Sequence, residues 1–441
     1  MSGPAVPREF LAAETRALLA RVDRLRPFVE QETMLPAAVL LPRALVGIEE
    51  LLLAERARLR ALGLAYLRWL SGPGAEAPAG EQQRRYALLR LRLNDHLSTL
   101  DLFSDAVTQR SESEVGLWLS GMDVAAADAL RLNDGRLGEE VPIICYLDRG
   151  PGAAIRRART RLPGDLENPV AIVRVPRERM VGHGIASSLF HEVGHQGAAL
   201  LDLVPSVRAA LARRARGPAR FGWHCWSSWI SEILADFWSV ARLGIGSTLG
   251  LMGVVSLPRP FVFRVSLTDP HPFPWIRVLV SAAIGHRLYP DPQWAALRRL
   301  WWQLYPPSQA PPAVVAVIER LLPTVPALAA AVAGHRPAAL GGATLASALA
   351  HPSRRPADLR RLRAVTLADP AAAARIRPAL RFAVLGQARW DGHLSAAAES
   401  REVDSMLRGW ARESTLRMAG AAAQQQPRVM APAAPRPAVT A

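Results

Sequence analysis

Along residues 6 to 132 the apolar positions fall three and four apart, as in Leu52, Leu59, Leu62 and Leu70, with Leu53, Leu64 and Leu67 between them. That period predicts an all-helical N-terminal region, 1–135, interrupted where SGPGAEAPAG breaks the pattern with glycine and proline. The character changes in VPIICYLDRG (141–150) and NPVAIVRVPRER (168–179), short runs rich in β-branched residues and bounded by Gly and Pro, which read as strands. Two further helical patterns follow, GHGIASSLFHEVGHQGAALLDLV and WSSWISEILADFWSVARLG. YPPSQAPPA then marks a linker, after which Ala, Arg and Leu run in helical blocks to about residue 420. The last stretch, 421–441, is Pro- and Ala-rich and predicts disorder. The expected fold class is α+β, mainly α, with a core at 136–305 and a helical extension at 306–420.

The longest uncharged run in the middle of the chain, LGIGSTLGLMGVVSLP at 243–258, is shorter than the ~20 residues of a bilayer-spanning helix, so no transmembrane segment is expected. The N-terminus carries charges throughout and lacks a continuous apolar segment, which predicts no secretory signal and a cytoplasmic location. Cys145 and Cys225 are too few for a disulfide framework and read as small buried hydrophobes.

A formal charge of +16 ordinarily points to nucleic acid, but every one of the 54 basic residues is arginine and they are spread over the whole chain. Pairs such as Arg156–Arg157, Arg213–Arg214 and Arg354–Arg355 are not interleaved with aromatics and read as solvated surface. Nucleic acid is therefore not an expected partner, and an arginine-rich binding module is kept only as an alternative.

The segment FHEVGHQ (190–196) places His191 and His195 four residues apart, on one helical face, with Glu192 directly after the first. Two imidazoles so placed can hold one ion while Glu192 reaches a water on it. A catalytic zinc site takes three protein ligands, and the next helix supplies a carboxylate, Glu232, with Asp236 one turn on, where it can accept a ligand histidine's free ring N–H. The apolar neighbours of both groups argue against a solvated face, because burying these ionisable side chains without a metal is costly. Gly194 predicts close approach of another backbone, for example an edge strand lining a substrate cleft, for which NPVAIVRV is the expected candidate.

HEVGH, followed by EILAD beginning 37 residues after His195, resembles the gluzincin metallopeptidases over about residues 140 to 290. Asp269-Pro270-His271-Pro272-Phe273-Pro274-Trp275-Ile276-Arg277 is similar to the His-Pro segment and following arginine of the prenyl-protein endopeptidase group. The resemblance implies a single Zn2+ per chain held by His191, His195 and Glu232, Glu192 as general base and acid, and Asp236 supporting the first histidine. It also implies an oxyanion-stabilising group outside the two helices, for which His271 and Arg277 are candidates, with His224 behind them. The chain departs from that group in lacking its transmembrane helices, so the expected substrate is a peptide or protein of no specified kind. A metal-holding scaffold without activity is the other alternative; the retained Glu192 argues against it. Trp223, Trp226, Trp229 and Trp238 read as core, and His183 and His286 as structural or surface residues.

Overall fold

The computed structural model describes residues 7–28, 34–137, 141–150, 152–163, 165–177, 182, 184–266 and 268–425. The described residues are mainly helical with one small sheet, as the hydrophobic pattern predicts. The N-terminal helices are α1 (Pro7–Asp23), α2 (Pro42–Ser71), α3 (Ala79–Thr108) and α4 (Ser113–Leu130). SGPGAEAPAG forms the turn between α2 and α3. The leucine pattern divides at 3.6 residues per turn: Leu52, Leu59 and Leu70 are buried, whereas Leu53 and Leu64 face solvent.

Three strands follow, β1 (Ile143–Asp148), β2 (Ala154–Arg156) and β3 (Ala171–Pro176), in the order β1-β3-β2. β1 pairs parallel to β3, with Cys145 opposite Val173, and β2 runs antiparallel to β3, with Ile155 opposite Val173. Side chains alternate across the sheet. Ile144, Tyr146 and Ile172 pack with Ile48, Leu51 and Phe103 of α2 and α3. Cys145, Val173 and Val175 join a larger core with α4 and the helices that follow. Both faces are covered, which is why β1 and β3 read as nearly continuous apolar runs. NPVAIVRV is therefore the central strand and not the expected substrate-facing edge; the edge on this side is β2, a strand too short and polar to show in the pattern.

Behind the sheet lie α5 (Gly184–Leu200), α6 (Leu203–Ala212), α7 (Arg220–Ser228), α8 (Ile230–Leu243), α9 (Ile245–Val255) and α10 (Pro274–Leu288). The crossing of α5 on α8 sets the site. A Cβ at Gly194 would lie 2.9 Å from Ala235 Cα, from Ala235 O and from Trp238 Cβ, so only glycine permits this approach. Gly194 thus meets a helix and not the strand expected from sequence. The indole N–H of Trp238 donates to Ala129 O (2.8 Å), fastening α8 to the end of α4. Trp223, Trp226, Trp229 and Trp238 are all core residues.

The same core continues through Leu328, Phe382 and Trp410, so the helices after residue 305 share one interior with α5 and α8. The stretch Pro312–Ala333 is long and apolar enough to cross a membrane by length and composition. Here it is split by the 3-10 turn Leu322–Thr324, and Ile318, Leu321, Leu328 and Val332 pack into the core. The last helix, Ala396–Gln425, extends five residues into the region expected to be tail; residues 426–441, and His183, lie outside the described residues. Arg354 corrects the reading of the arginine pairs: it is buried, donating to Arg242 O (3.3 Å) and to Ser353 Oγ (3.1 Å). His286 is exposed.

Candidate metal centre

α5 presents His191 and His195 on the face that crosses α8, with ring centroids 4.8 Å apart and planes at 86°. Glu232 lies in the first turn of α8, where the helix N-terminus favours a carboxylate. Its Oε2 is 3.1 Å from His191 Nε2, and its Oε1 is 3.4 Å from His195 Nε2. One donor atom from each of the three side chains lies within 4.8 Å of the others, so His191, His195 and Glu232 form a group that could hold a metal ion. The glycine-mediated approach of the helices is what makes this convergence possible.

Asp236, one turn after Glu232, places Oδ1 2.8 Å from His191 Nδ1. That acceptor fixes the Nδ1–H tautomer and leaves Nε2, on the Glu232 side, for a ligand bond. Asp236 is held in turn by Arg277 of α10, whose Nε and Nη2 donate to its two oxygens at 2.7 and 2.9 Å. Arg277, one of the two candidate oxyanion-stabilising residues, is thus engaged as a fork on a carboxylate. Its Nη2 is 3.6 Å from Glu232 Oε2.

His271, half-exposed on the segment before α10, reaches the same centre, with Nε2 3.3 Å from Glu232 Oε2. Its Nδ1 is 2.8 Å from Asp269 Oδ1, and the same carboxylate oxygen accepts the His271 backbone N–H at 2.9 Å. Asp-Pro-His is the sequence signal of such a local Asx contact. His224, by contrast, is exposed and pairs with Arg220 Nε (3.3 Å).

These contacts set the charges. Burial alone would lower the His191 pKa, but hydrogen bonds to Asp236 and Glu232 outweigh it and raise it from 6.5 to about 9. Burial would raise Glu232, yet the hydrogen bonds from His191 and His195 hold it well below the carboxylate range. Asp236 follows the same balance, burial opposed by the charge and hydrogen bonds of Arg277, and falls to about 2. Protonated His191 therefore bridges two carboxylates, and a metal ion on Nε2 would replace one of its protons.

A cleft of about 170 Å³ meets the centre at His191, and Glu192, Asp236, His271 and Arg277 also line it. Glu192 is 7% exposed and has no hydrogen-bond or ion-pair partner among the described residues. Gly152 and Ala153, immediately before the edge strand β2, line the same cleft. Ser187, Ser239 and Ser247 form a polar floor that the sequence did not single out, with Ser187 Oγ donating to Ser247 O (2.9 Å) and Ser247 Oγ to Ser239 Oγ (2.8 Å). No protein-family profile, curated protein or solved structure matches the chain.

Proposed function

We propose that the chain is a zinc-dependent metallohydrolase of gluzincin type that cleaves peptide bonds. The observation that carries this reading is the convergence of His191, His195 and Glu232 beside Glu192, a buried carboxylate with no hydrogen bond among the described residues. Two imidazoles and one carboxylate suit zinc, and three protein ligands, one of which also lines a cleft, correspond to a catalytic site, whereas structural zinc sites are closed by four. Bound zinc supplies Lewis acidity, polarising a substrate carbonyl and lowering the pKa of water to about 7.

The chain's own residues supply positioning and proton transfer. Asp236 and Arg277 lock the His191 ring in the tautomer that offers Nε2. Glu192 lines the cleft next to His191 and takes the proton of the attacking water, then returns it to the leaving amine. Asp269 accepts from His271 Nδ1 and turns Nε2 to the centre, where the doubly protonated ring can donate to the oxygen that gains negative charge. The edge of β2 beside Gly152 and Ala153 offers backbone groups to an extended peptide.

The test compares wild type with Glu192→Gln, both zinc-loaded, on a mixed peptide library analysed by mass spectrometry. Wild type is expected to cleave, and the variant to retain zinc while losing on the order of 10²–10⁴ in rate. Equal activity, or equal inertness across the library, would show that the peptidase reading is wrong.

A further inference from the structure

A second compartment of about 260 Å³ adjoins the cleft, and His271 and Arg277 line both. Its other walls are chiefly apolar: Val255 at the end of α9, Leu257 and Phe261 on the following segment, and Phe273 just before α10. Phe273 and Val255 are buried, while Leu257 and Phe261 stand 44% and 53% exposed at the mouth. Large apolar side chains left open to water beside a polar centre are the composition of a ligand-binding wall.

Volume and charge narrow what can occupy it. At about 260 Å³ it lies below the roughly 300–1,000 Å³ that encloses a drug-sized ligand, so it suits one bulky side chain. Its cations are Arg264 and Arg277, and its one carboxylate, Asp269, is turned to His271. With Arg277 paired to Asp236, a lysine or arginine side chain would meet the like charge of Arg264 and find no free acid to receive it.

Resting on the peptidase reading above, we propose that this compartment is the primary specificity subsite. It takes a large apolar side chain, of the Phe or Leu kind, on a residue flanking the scissile bond, and rejects basic ones. His271 and Arg277 form the partition between this side chain and the reacting carbonyl. Burial of such a side chain against Val255 and Phe273 favours binding by roughly ten- to a hundredfold over alanine.

The test is binding to the zinc-loaded protein, measured by calorimetry with hydroxamates that anchor on the metal: acetohydroxamate, and peptide hydroxamates carrying Phe, Leu, Ala or Lys next to the anchor. The Phe and Leu compounds are expected to bind at least tenfold tighter than Ala, and Lys weaker than Ala. Leu257→Trp, at an exposed position that tolerates bulk, fills the mouth and should erase the Phe preference while acetohydroxamate binds as before. Phe261→Ala should reduce the preference without erasing it. Acetohydroxamate binding with no side-chain preference, or a preference unchanged in Leu257→Trp, overturns the subsite alone; absence of acetohydroxamate binding overturns the metal reading and the subsite with it.

Discussion

Replacing Gly194 by alanine tests whether the crossing of α5 and α8 sets the metal centre. The new Cβ would sit 2.9 Å from Ala235 Cα, from Ala235 O and from Trp238 Cβ, and none of those atoms can rotate away. The helices must separate by a few tenths of an ångström or more. Overpacking of this kind costs about 1–3 kcal/mol, and the helix propensity of alanine returns about 1 kcal/mol, leaving a net loss of about 0–2 kcal/mol. The larger effect falls on the metal, because Ala235 lies between Glu232 and Asp236 and moves with them. A small displacement of one of three ligands should weaken zinc at least tenfold. Gly253→Ala is the control: nothing lies within 4 Å of its Cβ, so it should be neutral or stabilising by up to about 1 kcal/mol with zinc affinity unchanged. Thermal unfolding of the metal-free proteins and competitive titration against a fluorescent chelator read both quantities. If Gly194→Ala is as stable as the control and binds zinc like wild type, the reasoning from close packing to ligand geometry is refuted.

Asp236→Ala should lower zinc affinity by about 10–100-fold in the same titration, since it frees the His191 ring and leaves Arg277 without its acceptor; wild-type affinity would show that the carboxylate does not support the ligand. The His191 pKa is raised from 6.5 to about 9, so its proton stabilises the metal-free fold fully below pH 6.5 and ever less as pH climbs to 9. Asp236 lies lower, at about 2 against 3.8, so its contribution is complete above pH 4 and fades as pH falls through 2. Unfolding of the metal-free protein should therefore show greatest stability between about pH 4 and 6.5, with zinc affinity rising toward pH 9 as the Nε2 proton becomes easier to displace; affinity flat over that range would contradict the charge assignment. Arg110 is fully buried, holding Asp123 at 2.8 Å and Cys145 O at 2.7 Å, so Arg110→Ala should destabilise by about 3–5 kcal/mol in denaturant unfolding, and a loss under 1 kcal/mol would mean that this link between α3, α4 and β1 is dispensable.

What the sequence makes legible is whatever one element encodes by itself. The spacing of His191 and His195, and of Glu232 and Asp236, depends only on the helical repeat, and the structure brings these residues together. The β-branched runs give β1 and β3 because both are covered on two faces. Properties that depend on how elements meet were not legible. NPVAIVRV looks like any buried strand, and only the pairing of Ala154–Arg156 shows that it is central. Gly194 announces a close approach without naming its partner. Arg277 is basic and near the site in either role, and its commitment to Asp236 appears only when α10 is seated beside α8.

The central claim is that His191, His195 and Glu232 hold one zinc ion. The direct measurement is zinc per chain, by mass spectrometry on protein reconstituted with zinc and then desalted. Wild type should retain one equivalent, His195→Ala and Glu232→Ala substantially less, and His224→Ala and His286→Ala the full equivalent. Wild type without zinc, or zinc undiminished in Glu232→Ala, would contradict the account.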